Sequence, residues 1–400
     1  DAIARKLKAA GGKKTGAIIG DLAAAEEVFA LKSLMDALGS PHMDCRQDGA
    51  KLATDQGRSG YLFNSGIQGI DEADAILLVG ADPRMEAAVL NARIRKRYRS
   101  GGVAIALIGV NADLTYPYDY LGAGPDTLQD LVAGKLDFHK TLKRSKQPMV
   151  IVGQSAFARP EGAAIVALAA TLAHDTGVIS KGWNGFNILH TAASRVGALD
   201  LGFLPAKGGL DVEGMVKAAG EGKLDAVYLL GADEIDMDAL GKAFVIYQGS
   251  HGDKGAHRAD VILPGAAYTE KSGTFVNTEG RPQMTARAVF PPGQAREDWA
   301  IVRALSGKLE MPLPFDNLNA LRSRMYQAAP HLAALDSIAP ASNDAIKALA
   351  KAGGKVTSKA FTPAIADFYL TNPIARASAT MAQMSALVSA NRKKATGTHG

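Results

Sequence analysis

The residues best equipped for chemistry lie in one short polar stretch, Ser250-His251-Gly252-Asp253-Lys254-Gly255-Ala256-His257. Two imidazoles and a carboxylate so close together have the donor types that ligate zinc or iron, and a serine beside a histidine has the types of a nucleophile and its base. A metal, however, needs three or four ligands held by a supporting shell. The chain has neither an H-E-x-x-H pattern nor a second cysteine to complete such a set. A glycine-loosened loop whose polar side chains bond to backbone groups accounts for the stretch more simply. Cys45 stands beside Arg46 and near His42, neighbours that lower a thiol pKa when they face it. A lone thiol is nevertheless more often packed as a small apolar side chain than used. The basic run Arg93, Arg95, Lys96, Arg97 and Arg99 wraps around most of a helix and has no accompanying set of stacking aromatics. It reads as a solvated or partner-facing helix, and no nucleic-acid partner is expected.

The elements that must position these residues follow one design: an apolar strand, a glycine turn, then a helix. It occurs in Gly16-Ala-Ile-Ile-Gly20-Asp21, Ala75-Ile-Leu-Leu-Val-Gly80-Ala-Asp82, Met149-Val-Ile-Val-Gly153-Gln-Ser155 and Ala226-Val-Tyr-Leu-Leu-Gly231-Ala-Asp233. Val, Ile and Leu runs without polar alternation suit strands buried on both faces, hence parallel sheets covered by helices. Residues 103–109 and 243–249 look like two further strands. Asp21 is expected to cap a helix that presents Leu31, Leu34, Met35 and Leu38 on one face and ends at Gly39. Asp82-Pro83 opens a second helix, which Gly101-Gly102 stops. The predicted fold class is α/β, with two doubly wound, mainly parallel sheets. Ligands of such sheets bind at the carboxyl ends of the strands, so the glycine turns are where to look. None has the G-x-G-x-x-G fingerprint, and Gly11-Gly12-Lys13-Lys14-Thr15-Gly16 lacks P-loop spacing.

Composition sets outer limits. With 400 residues, 47% of them hydrophobic, the chain is long enough for two or three domains with sizeable cores. The longest mostly apolar stretch, about residues 163–173, falls short of the roughly 20 residues of a membrane span. Cys45 is the single cysteine, which rules out an internal disulfide framework and any all-cysteine metal site, and points to a reducing compartment. A net charge of +5, from 45 basic and 40 acidic residues, is too thin to argue for a polyanionic partner. The start, Asp1-Ala-Ile-Ala-Arg-Lys-Leu-Lys8, has no signal-peptide pattern and reads as the middle of a helix, so the chain is expected to be a fragment or a processed product.

Longer collinear strings are more discriminating. Residues 75–96 (Ala75-Ile-Leu-Leu-Val-Gly-Ala-Asp-Pro-Arg-Met-Glu through Lys96) and 251–281 (His251-Gly-Asp-Lys-Gly-Ala-His-Arg-Ala-Asp-Val-Ile-Leu-Pro through Arg281) resemble the large iron–sulfur subunit of NADH-quinone oxidoreductase, respiratory complex I. Asp113-Leu-Thr-Tyr-Pro-Tyr-Asp119, Arg296-Glu-Asp-Trp299 and Phe368-Tyr-Leu-Thr-Asn-Pro-Ile-Ala-Arg-Ala-Ser378 add to the resemblance, which covers nearly the whole chain. It implies the large domain of molybdopterin-type oxidoreductases, two interlocked sheets with one unit inserted in the other. Residues 1–50 and 225–308 would form the first unit, residues 51–224 the insertion, and residues 309–400 a mostly helical or irregular extension.

The resemblance also implies what the chain does not do. The 2Fe-2S and 4Fe-4S clusters of that family belong to an N-terminal part not contained here. In formate-dehydrogenase-like relatives a pair resembling Asp44-Cys45 is followed, some five residues on, by the cysteine or selenocysteine that holds molybdenum. Here Ala50 stands near that place and offers no donor. The expectation is therefore no catalytic, cofactor-binding or metal residue in this chain. It would be a non-redox scaffold among the flavin- and cluster-bearing subunits of the hydrophilic arm, on the cytoplasmic face of a bacterial inner membrane or the matrix side in mitochondria. Such a scaffold should present extended partner-facing surfaces instead of one deep polar cavity. The alternative is an oxidoreductase domain that keeps a molybdopterin or nucleotide among Gly80, Asp82, Gly231, His251 and Asp253. Residues 311–316 and 337–356 read as connectors. Phe368, Tyr369, Met381, Met384 and Leu387 offer an apolar face, and the final residues 391–400 are expected to be mobile.

Overall fold

A computed structural model describes residues 1–52 and 54–394. Of residues 391–400, expected to be mobile, 391–394 continue the helix Ala379–Lys394, and 395–400 lie outside the described residues. In chain order the main strands are β1 (Thr15–Ile19), β2 (His42–Asp44), β3 (Ala75–Val79), β4 (Ala104–Ile108), β5 (Asp119–Gly122), β6 (Pro148–Val152), β7 (Phe186–Ile188), β8 (Ala226–Leu230), β9 (Phe244–Gly249) and β10 (Val261–Pro264). They form two five-stranded sheets, ordered β10-β9-β8-β1-β2 and β5-β4-β3-β6-β7, and every pairing in both is parallel. The central strands β1, β3, β6 and β8 are buried at every position, as their unalternated apolar sequence requires. The strands foreseen at 103–109 and 243–249 are β4 and β9.

Helices cover both faces of each sheet. One face of the first sheet packs on Ala25–Leu38, Asp298–Lys308 and Leu318–Ala328, through residues such as Leu31, Val302 and Leu321. Its other face packs on Val212–Gly220. The second sheet lies between Gly162–Asp175 on one side and Ala88–Arg99 on the other.

The glycines that end the strands act in two ways. Gly80 and Gly231 take φ of 54° and 59°, a left-handed turn that a side chain opposes. Gly20 and Gly153 serve close approach instead. A Cβ on Gly20 would stand 1.8 Å from the Gly231 carbonyl oxygen, and one on Gly153 would stand 2.4 Å from the Ala81 Cα. Each sheet thus pairs one turning glycine with one that makes room for it.

Several expectations need correction. Asp21 caps nothing: its helix begins at Ala25, where Glu27 reaches back to accept from the Ala24 N–H. Asp82 does cap, accepting from the N–H groups of Arg84 and Met85 at 3.1 and 3.3 Å. The helix it opens breaks at Ala87, however, into Pro83–Glu86 and Ala88–Arg99. Gly39 ends its helix at φ 70°, ψ 30° as expected. Residues 337–356 are not merely a connector. They contain the helix Asp344–Ala352, whose Ala345, Ile346 and Leu349 are buried against Gly162–Asp175. Around residues 311–316, Leu313 and Phe315 are core residues despite the flanking prolines. In 344–352 small residues and Lys hide a narrow apolar stripe that only a neighbouring helix defines, and Leu313 and Phe315 lie in irregular chain with no periodicity to mark them. Within 250–257 the expected loose loop tightens into the short helix Lys254–Arg258.

Candidate functional site

The carboxyl ends of the two sheets open onto one shared cavity of about 900 Å³. Its walls come from residues just past the strands: Asp21 after β1, Gln47 and Asp48 after β2, Glu86 after β3, Gln154 after β6 and Glu234 after β8. A deep polar cavity therefore exists where the scaffold expectation called for none. The cause is architectural, since two parallel sheets with facing carboxyl ends leave a crevice between their turns whatever chemistry the family member performs.

The wall is bound together by one buried cation. Arg195 donates to Asp48 Oδ1 at 2.8 Å, and Asp48 Oδ2 accepts from Gln154 Nε2 at 2.9 Å. Burial alone would raise Asp48, but the Arg195 guanidinium holds it below the ordinary carboxylate range. Asp21 accepts from Gln47 Nε2 at 2.9 Å. Burial raises its pKa against the pull of Arg195. Glu86 accepts from two backbone N–H groups, Asp82 at 2.7 Å and Gln154 at 3.0 Å. These do not offset its desolvation, and its pKa is pushed up to about 7. Burial and the charge of Arg195 press His190 down to about 4, so it is neutral, with Nε2 2.6 Å from the Tyr61 carbonyl.

A strap runs along the cavity. Residues of 357–372 line it, crossing from one sheet to the other. Near the second sheet Thr357 Oγ1 donates to Glu161 at 2.8 Å, and the Phe361 N–H donates to the Ala123 carbonyl at 2.8 Å. Phe361 is buried, with the Arg159 guanidinium 5.3 Å from its ring centre. At the first sheet Arg376 pairs with Glu234 at 2.7 Å and with Asp253, and lies 3.5 Å from the fully buried Asp233.

The residues singled out in sequence scatter. Gly80 and Gly231 make turns and Asp82 caps a helix. Asp253 anchors Arg376. His251 Nδ1 lies 3.0 Å from Ser250 Oγ, beside a small second cavity. In the wall of that cavity Lys271 donates to Glu27 Oε2 and Asp298 Oδ2, each at 2.7 Å. Burial and the neighbouring Asp298 charge raise the Glu27 pKa, whereas Lys271 keeps Asp298 lowered against burial. Among the described residues no three His, Cys, Asp or Glu side chains are grouped to hold a metal. Cys45 is fully buried and its thiol is pushed up to about 12 by desolvation. The basic run is largely consumed internally: Arg93 pairs with Asp71 at 2.6 Å, and Arg97 donates to the carbonyls of Ala73, Gly101 and Gly102. Sequence reasoning does not single out Asp21, Gln47, Glu86 and Gln154 as wall residues, nor Arg195 as the partner of Asp48. For all but Arg195 the available signal was position, shortly after a strand.

Two interlocked parallel sheets sharing a cavity at their carboxyl ends define a class, the molybdopterin-oxidoreductase fold. A family model, molybdopterin oxidoreductase, matches residues 1–308, and the chain belongs to that family. A second model, for the C-terminal region of the G-type subunit of NADH-ubiquinone oxidoreductase, matches residues 337–384. The chain is 42% identical over 372 residues, 93% of its length and 49% of the relative's, to the mitochondrial NADH dehydrogenase (ubiquinone) iron-sulfur protein 1 of Solanum tuberosum. It is 39% identical over 388 residues, 94% of its length and 55% of the relative's, to the NADH-ubiquinone oxidoreductase 75 kDa subunit of Reclinomonas americana. The chain spans about half the length of the curated relatives it matches. Among solved structures, the formyltransferase/hydrolase complex (FhcABCD) of Methylorubrum extorquens with methylofuran aligns at a TM-score of 0.57. That match has 17% identity and covers 77% of this chain and 94% of that one, a likeness of fold.

The fold family implies a molybdenum pterin, and the residues present do not fit one. Ala50 is packed in the core of the second sheet and brings no donor. Cys45 is a buried, protonated thiol. Of the wall carboxylates Asp21, Asp48, Glu86, Glu161 and Glu234, three already take up the guanidinium groups of Arg195, Arg159 and Arg376, which leaves few cations to meet a pyrophosphate.

Proposed function

We propose that this chain is the non-redox scaffold portion of the large iron–sulfur subunit of an NADH-quinone oxidoreductase. It supports electron transfer from NADH to quinone, coupled to proton translocation, that the rest of the complex performs. The observation that carries this reading is the cavity's chemistry: Ala50 and the buried thiol of Cys45 offer no metal donor, and the wall, part of it made by residues 357–372 of the same chain, carries carboxylates. Collinear identity of 39 to 42% with relatives named as complex I subunits supports membership of the complex. The single cysteine of the chain supports assigning the 2Fe-2S and 4Fe-4S clusters to another part of the full subunit.

On this reading residues 1–50 with 225–308 form one unit, 51–224 an inserted unit, and 309–400 an extension that ties them together. The partners are the flavin- and cluster-bearing subunits of the hydrophilic arm, at the cytoplasmic face of a bacterial inner membrane or on the matrix side. No helix among the described residues is long and apolar enough to cross a membrane, so attachment would run through neighbouring subunits. Purification of the assembled complex through a tag on this subunit tests the proposal. Co-purification of the flavin- and cluster-bearing subunits, with NADH:quinone turnover and without stoichiometric molybdenum or tungsten, is expected. A molybdenum or tungsten centre retained by this chain would overturn the scaffold reading in favour of a working cofactor domain.

A further inference from the structure

The cavity wall contains two carboxylates with no ion-pair partner among the described residues. Asp48, Glu161 and Glu234 have guanidinium partners in Arg195, Arg159 and Arg376. Asp21 has only the Gln47 amide, and Glu86 only two backbone N–H groups. They come from different sheets, Asp21 following the first sheet's β1 and Glu86 following the second sheet's β3. Gln47 is 7% exposed and also lines the cavity. Its Nε2 serves Asp21, while its Oε1 is buried with no hydrogen-bond partner. An acceptor left without a donor costs the full desolvation of that group. Asp21 and Glu86 therefore present acceptors, without a cation of their own, to about 900 Å³ of space.

We propose that the cavity beneath the strap is a binding site for a small organic cation, an amine or guanidine with positive charge at both ends, held by Asp21 and Glu86. The wall supplies acceptors where such a ligand supplies only N–H donors, and charge-assisted bonds to carboxylates are the strong ones. Arg159 and Lys359 also line the cavity, so its preference for a cation over pyrophosphate rests on Asp21 and Glu86. This inference goes beyond the scaffold reading and does not depend on it, because a scaffold with or without a ligand would assemble alike.

Isothermal titration of the 400-residue chain with agmatine, against inorganic pyrophosphate at matched ionic strength, tests it. Agmatine is expected to bind and pyrophosphate not to. Asp21→Asn and Glu86→Gln, each isosteric, should weaken agmatine binding about tenfold or more, with circular dichroism confirming the fold. Should a variant fail to fold, carbodiimide labelling of the wild-type chain gives a second readout, in which agmatine protects Asp21 and Glu86 from modification. Absence of agmatine binding, equal binding by the folded variants, binding without protection of these carboxyls, or pyrophosphate binding as tightly would each overturn the proposal.

Discussion

Side-chain identity alone misleads where burial decides chemistry. Cys45 has the cationic neighbours of a reactive thiol, yet desolvation outweighs them and its pKa rises to about 12. Iodoacetamide at about pH 8 should therefore leave the native chain unmodified and alkylate it fully once denaturant is added. Mass spectrometry before and after unfolding reads the difference, and rapid native labelling would contradict the burial argument. Glu86 runs the other way. Its folded pKa of about 7 stands above the ordinary 4.5, so the folded state holds the proton more tightly than the unfolded chain. Its favourable contribution is complete below about pH 4 and is lost as pH climbs through 7. Glu86→Gln removes that loss. In urea unfolding the wild type should therefore lose up to about 3 kcal/mol between about pH 4 and pH 8, whereas the variant, whose amide cannot accept from both N–H groups, starts less stable at pH 4 but shows no such slope.

At the level of elements, the repeated strand–glycine–helix pattern determines where the wall residues emerge. Gly20 and Gly231 look interchangeable in sequence but are held for different reasons. Gly231→Ala imposes a side chain at φ 59° with open space around it, a cost of about 1–2 kcal/mol. Gly20→Ala drives a methyl into the Gly231 backbone at 1.8 Å, and should cost about 3 kcal/mol while deforming the wall that carries Asp21. Chemical denaturation of both variants ranks them, and a reversed order would refute the assignment. The elements misread in sequence were those with weak local signals. The helix Asp344–Ala352 sits in a stretch of Ala, Lys and Ser whose apolar stripe acquires meaning only against Gly162–Asp175. Asp21 has the type and place of a helix cap, yet the chain runs on to Ala25 before turning helical.

For the whole molecule, the strap is the feature that joins the sheets across their common cavity. Arg376 is its clasp, set among Asp233, Glu234 and Asp253. Arg376→Ala leaves the buried Asp233 without a cation. Limited proteolysis should then cut within residues 357–372 about tenfold faster, while the two sheets unfold as before. Arg376→Lys should recover only part of the protection, because an ammonium does not reproduce a guanidinium's several directed donors. Unchanged cleavage in both variants would mean that the strap is held elsewhere. The sequence by itself determined the parallel α/β class, because unalternated apolar strands have one physical solution, and it determined the family, because collinear strings do not arise by packing constraints alone. Only the tertiary structure decided which carboxylates meet. Asp21, Glu86 and Glu234 are far apart along the chain, and no local propensity records that the turns carrying them converge beneath residues 357–372.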